Sequence, residues 1–314
     1  MIHPTKATAF APASTSNLAV GFDILGHPLG FTGDRVTVTR RAAPGVVMGA
    51  VTGDVDSLPS DPALNTAGTA VMLLLQDHAP ELGMEVEIEK GIPLGSGIGG
   101  SAASAVAAAV AANALLPRPL PTAELFPYAL QGEVAASGAI HGDNVAPSLF
   151  GGLVLVRSAL PPDVVSLPSP PTLRCVLVLP DLCVNTRDAR AVLPRFVPLG
   201  DMIHQTANLA GVIAGCCTGD LELVARSLRD RVVEPHRASL IPGFHDVQAA
   251  AMEAGALGCS ISGAGPSMFA WCRGDDDGER VRDAMMDAFH RRNIPARGWV
   301  SPVNGPGARV EAVE

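Results

Sequence analysis

Three unlike stretches follow one another without a break between residues 84 and 116, and their order restricts the fold more than any other part of the chain. Met84-Glu85-Val86-Glu87-Ile88-Glu89 alternates apolar and acidic residues, the period-two pattern of a strand with one buried face. Next comes the turn Pro93-Leu94-Gly95-Ser96-Gly97-Ile98-Gly99-Gly100. Ser101 to Leu116 then runs alanine-rich with no internal proline or glycine, which predicts a helix with Ser101 or Ser104 capping its first turn. A strand, a glycine turn and a helix in that order aim free backbone N–H groups and the positive end of a helix dipole at one point, which suits a phosphate. Gly91 to Pro117 carries no charge over 27 residues, a length that could cross a bilayer. Its first third is Gly, Ser and Pro, however, and the remainder is mainly alanine, which supplies little transfer energy. A buried helix is the better reading.

Other nucleotide turns fit poorly. Gly95, Gly97 and Gly100 satisfy G-x-G-x-x-G, but a dinucleotide fold wants an acidic residue about 20 positions on, at the end of a second strand. That region reads Leu115-Leu116-Pro117-Arg118-Pro119-Leu120-Pro121, which cannot be a central strand. The lysine-bearing G-x-x-x-x-G-K-[ST] loop is absent. A glycine turn with no ligand stays open as the plain alternative.

With 314 residues, two domains are expected. The prolines at 161, 162, 168, 170 and 171 read as a stiff extended connection, placing the boundary between residues 1–165 and 166–314. Strands are predicted near Ala7–Ala11, Arg35–Thr39, Leu153–Arg157, Arg174–Leu179, Ser267–Cys272 and Gly298–Val303. Helical patterns cover Thr122–Ala135, Met202–Ala214, Leu221–Leu228, Val247–Ala256 and Glu279–Arg292, so the class is α+β. A net charge of −9 gives no basic footprint for nucleic acid or an anionic membrane. The six cysteines lack paired metal-ligand spacing and read as buried, reduced thiols. The N-terminus shows no signal or transit pattern, so a cytoplasmic address is expected.

Pro93 to Ala103 resembles the phosphate loop P-x-G-x-G-(L/I)-G-x-S-A-A of the superfamily named for galactokinase, homoserine kinase, mevalonate kinase and phosphomevalonate kinase, with Ile98 where leucine is usual and Gly100 where serine is usual. Pro12-Ala13-Ser14-Thr15-Ser16-Asn17-Leu18-Ala19-Val20-Gly21-Phe22-Asp23 resembles its N-terminal substrate motif, and Ser260-Ile261-Ser262-Gly263-Ala264-Gly265-Pro266-Ser267 its C-terminal glycine loop. Gly142 to Gly152, Thr186 to Pro194 and Arg237 to Phe244 are similar to substrate-side segments of the homoserine kinase branch.

The resemblance implies a two-domain fold with a ferredoxin-like C-terminal domain, and transfer of the ATP γ-phosphate to the L-homoserine hydroxyl for threonine biosynthesis. Pro93, Leu94, Gly95, Ser96, Gly97, Ile98, Gly99, Gly100, Ser101, Ala102 and Ala103 would hold the nucleotide, with Asn65 beside them. Ser101 and Glu133 would hold Mg2+, which takes hard oxygen ligands; as plain residues they are a helix cap and an exposed helical acid. Arg190 and Arg237 would fork the substrate carboxylate, Asp23 would pair with its ammonium, Asn17 would add a neutral hydrogen bond, and His141 would line the pocket. Solvated arginines, turn residues at Asp23 and Asn17 and a structural histidine are the plain readings of the same positions. Asp143 is read as general base for the hydroxyl, or Asn144 as orienting it, or Asp143 as holding a turn. Another small-alcohol kinase with mevalonate or a sugar as acceptor, the related diphosphomevalonate decarboxylase and a non-catalytic nucleotide-binding module are the rival functions. A homodimer is the commonest assembly for such proteins.

Overall fold

In the computed structural model, which describes residues 4–55, 57–138 and 140–314, the chain opens with the long strands β1 (Lys6–Ser16) and β2 (Leu25–Arg41), then β3 (Gly45–Gly53), α1 (Thr66–His78) and β4 (Gly83–Lys90). The glycine turn leads into α2 (Gly100–Ala114), followed by α3 (Phe126–Ser137), the short α4 (Val145–Phe150) and the hairpin strands β5 (Leu153–Ser158) and β6 (Asp163–Leu167). Next come β7 (Leu173–Pro180), α5 (Thr186–Ala191), α6 (Leu199–Thr218), α7 (Leu221–Ser227), α8 (Glu234–Arg237) and α9 (Phe244–Glu253). The chain ends with β8 (Gly258–Ile261), β9 (Met268–Arg273), α10 (Gly274–His290), β10 (Ala296–Pro302) and β11 (Arg309–Val313).

The strands make two sheets. The first runs β11-β1-β2-β4-β3, with β5 joined to β2 and β6 to β5; β3 lies parallel to β4 and the other pairs are antiparallel. The second runs β10-β7-β9-β8, all antiparallel. Strand, helices, two strands, helix, strand along the chain, with the strands laid side by side as β10-β7-β9-β8, is the ferredoxin-like arrangement, with α9 and α10 laid on the sheet. The α+β class follows from this layering of helices on largely antiparallel sheets.

α2 packs against β1, β2, α1 and α3, and its residues from Ala102 to Ala112 are buried all round. Alanine is what lets a helix be enclosed so closely, which is why this segment is free of charge and of bulk. Neither serine caps it. Its N-cap is Gly99, left-handed and without a side-chain bond, while Ser104 turns inward and donates to Asp34 at 2.6 Å. The first N–H groups of α2 are thus left for a ligand.

The proline-rich connection holds β6, since its prolines flank the strand and do not interrupt it. β11 returns to pair with β1, so residues 309–313 sit in the same sheet as the N-terminal strand. Two aromatic contacts join the layers: Trp271 Nε1 donates to His27 Nε2 at 3.1 Å, and Phe31 stacks on Trp299 with ring centroids 4.5 Å apart. All six cysteines are free thiols, but the expectation of burial fails for Cys183 and Cys217, which are exposed because they sit in a loop and on the outer face of α6. Among the described residues no helix is long and apolar enough to cross a membrane.

Candidate active site

The phosphate loop is held from both sides by close backbone approach. Gly97 and Gly99 are left-handed, with φ of 75° and 71°. A Cβ on Gly97 would lie 2.5 Å from the Gly265 carbonyl oxygen, and one on Gly99 2.3 Å from Ser14 Oγ, so a side chain at either position would drive the motifs apart. Ser262 Oγ lies 2.9 Å from both Gly97 O and Thr15 Oγ1, and Ser267 Oγ donates to Ser96 O at 2.7 Å. Three segments far apart in sequence therefore meet around one loop. Beneath it, Lys90 Nζ is paired with Asp34 and donates to Gly100 O at 2.9 Å and Ser104 Oγ at 3.0 Å, which uses all three of its protons.

The N-terminal motif is strained. Asn17, Leu18, Ala19 and Asp23 all have φ between 44° and 68°, a region that costs non-glycine residues of order 1 kcal/mol each. Asn17 pins the bend: its Oδ1 accepts from the Asp23 N–H at 3.0 Å and its Nδ2 donates to Gly263 O at 2.7 Å. Each end of its amide thus makes one bond that holds Asp23 in place, while Asn17 also lines the cleft with a second N–H to spare.

Asp23 receives Arg190 bidentately, at 2.7 and 3.2 Å, and Arg190 also lies 3.2 Å from His141 Nδ1. Desolvation holds the His141 pKa below its ordinary value, against the pull of Asp23. Arg237 is buried, with Nε on Ala189 O and Nη1 on Gly263 O, both at 2.9 Å, and burial lowers its pKa to about 10. Phe22 lies beneath both guanidinium groups, with centroid distances of 5.3 and 5.2 Å.

At the other end of the cleft Asn144 accepts from Ser14 Oγ at 2.9 Å and donates to Ser16 Oγ at 3.0 Å. Ser16 in turn donates to the carboxyl of Asp143. Asp143 is buried, and desolvation, reinforced by the nearby negative charge of Asp23, raises its pKa to about 7. Glu133 is not the exposed acid its helical pattern allows: Oε2 is sealed from solvent, Ser101 is its hydrogen-bond partner, and burial raises its pKa to about 7.

These groups line one cleft of about 170 Å³. Its wall comprises Asn17, Asp23, Glu133, His141, Asp143, Asn144, Arg190, Arg237 and the loop from Pro93 to Ser101 apart from Ile98. Ile98, Ala102 and Ala103 face the core. Asn65 lies elsewhere, where its side chain caps α1 through Ala67 and Gly68 and bonds Pro59 O. Ser14, Ser16 and Thr186 lie within segments matched as motifs but are not singled out there; Ser14-Thr15-Ser16 is legible as a polar run ending β1.

A helix start with free N–H groups, opening on a cleft lined by carboxylates and arginines, suits a kinase that acts on a small charged acceptor. Comparison with known proteins agrees. Residues 65–152 match the GHMP kinases N terminal domain and residues 212–291 the GHMP kinases C terminal domain. The homoserine kinase of Xylella fastidiosa (strain 9a5c) is 49% identical over 305 residues, covering 97% of this chain and 94% of its own. That of Chlorobium phaeobacteroides (strain BS1) is 44% identical over 315 residues, covering 96% and 98%. The crystal structure of homoserine kinase from Cytophaga hutchinsonii superposes with a TM-score of 0.94 at 43% identity, covering 97% of each chain. The chain belongs to the GHMP kinase family, in its homoserine kinase branch.

Proposed function

We propose that the protein transfers the terminal phosphoryl group of ATP to the side-chain hydroxyl of L-homoserine, giving O-phospho-L-homoserine for threonine biosynthesis. One observation carries the choice of acceptor: a carboxylate and two arginines, Asp23, Arg190 and Arg237, stand together in the same cleft as Asp143 and Asn144. An amino-acid zwitterion exchanges the Asp23–Arg190 pair for two pairs, its ammonium on Asp23 and its carboxylate on the arginines. Mevalonate and sugars bring no ammonium for Asp23.

Asp143 accepts the hydroxyl proton, for which a pKa of about 7 is well matched to neutral pH. Asn144 acts through Ser16, which it fixes against that carboxyl. The donor set of Ser101 and Glu133 fits Mg2+: a hydroxyl and a carboxylate whose raised pKa a cation would reverse. Bound there, the metal supplies neutralisation of phosphate charge. In this reading residues 1–165 carry the phosphate loop and 166–314 the ferredoxin-like unit, with the end of β6 and β11 returned to the first sheet, and the enzyme works in the cytoplasm as a homodimer. A coupled ADP-release assay across L-homoserine, mevalonate, galactose and shikimate tests the acceptor. Homoserine is expected to show at least tenfold higher kcat/KM than the others; equal turnover of mevalonate refutes it.

A further inference from the structure

Phosphoryl transfer needs positive charge on the oxygens of the transferred group, and the cations around this loop are nearly all taken. Lys90 spends its three protons on Asp34, Gly100 O and Ser104. Arg190 is paired with Asp23, and Arg237 is tied to Ala189 O and Gly263 O at the acceptor end.

Arg187 differs. Its side chain enters none of the ion pairs or hydrogen bonds formed among the described residues, while its backbone N–H is fixed by Asn185 Oδ1 at 2.8 Å. It lines a second cavity, of about 480 Å³, together with Gly95, Ser101 and Glu133, and it is the cation in that lining. Thr186, Ser101 and Glu133 border both this cavity and the acceptor cleft, so the two spaces meet at the phosphate loop. Arg187 and Arg190 are three residues apart on α5 and so share a face, about 5–6 Å apart at Cβ.

We propose that Arg187 contacts the terminal phosphoryl group of bound ATP, so that α5 spans the reaction with Arg190 on the acceptor and Arg187 on the group transferred. The planar guanidinium matches two phosphoryl oxygens, and its uncommitted state leaves no ion pair to break first. The inference rests on the kinase reading above.

The test compares Arg187→Ala, Arg187→Lys and the control Arg195→Ala, an exposed arginine outside both cavities whose loss changes net charge equally. Arg187→Ala should lower kcat/KM for ATP at least tenfold, change the Kd of ADP less than threefold, and leave the homoserine KM and Tm near wild type. Arg187→Lys should recover part of the loss, and Arg195→Ala should stay within twofold of wild type. Unchanged kcat/KM for ATP, equal weakening of ATP and ADP, or the same loss in Arg195→Ala overturns the assignment. Failure of the wild-type enzyme to phosphorylate homoserine would instead overturn the underlying reading.

Discussion

Asp143→Asn should make the enzyme more stable and less active, with a pH signature that separates charge from shape. The wild-type carboxyl has a folded-state pKa of about 7 against a reference of 3.8, because burial disfavours its ionised form. A carboxyl whose pKa is raised on folding favours the folded state below pH 3.8 and loses that contribution as pH rises toward 7. At 1.36 kcal/mol per pKa unit, the penalty is about 2 kcal/mol at pH 5 and about 4 kcal/mol at pH 8. The amide of Asn is the same size and pays neither. Guanidinium titrations of both proteins at pH 5 and pH 8 should show the variant ahead at both, with the gap about 3 kcal/mol wider at pH 8. In the same preparation kcat should fall at least a hundredfold with the homoserine KM preserved, since the proton acceptor is gone. A stability gap that does not change with pH would refute the buried-charge argument; a kcat loss under tenfold would refute the base.

Arg190→Ala should raise the homoserine KM by about 10- to 150-fold, the equivalent of a charge-assisted hydrogen bond of about 1.5–3 kcal/mol, with the KM for ATP unmoved; an unchanged homoserine KM returns Arg190 to the surface. Ser101→Ala and Glu133→Gln should shift the magnesium titration of activity to higher concentration while homoserine binding, followed by calorimetry, stays intact; wild-type titration curves in both would remove the ligand assignment. His27, buried and neutral against Trp271, has its pKa lowered to about 4, so stability should drop by about 2–3 kcal/mol as pH falls from 7 to 4.5; His27→Gln should flatten that slope in urea melts followed by tryptophan fluorescence, and an equal slope in both proteins would exclude His27 as its source.

Sequence reading succeeds here where the cause is local. β4, the glycine turn and α2 follow from alternation, from left-handed glycines and from a run of alanine, each acting within a few residues. β7, β9 and β10 were legible as apolar runs for the same reason. β3 and β11 were not: one half-buried and one exposed, both are edge strands fixed by pairing with a neighbour distant in sequence or across a crossover. The site residues came from motif resemblance, but their roles were decided by contacts across the fold. Asn17 and Gly263 lie 246 residues apart, yet their hydrogen bond makes this cleft residue also a brace for Asp23. The resemblance makes Glu133 a metal ligand and Asp143 a candidate base, but nothing local in the sequence shows that burial lifts both pKa values to about 7. Lys90 and Arg187 both stand near the phosphate loop, and the sequence reading gives neither a role. Asp34, 56 residues from Lys90, commits that cation, whereas Arg187 meets no side-chain partner among the described residues, because an ion pair formed inside the fold depends on what packs beside the charge.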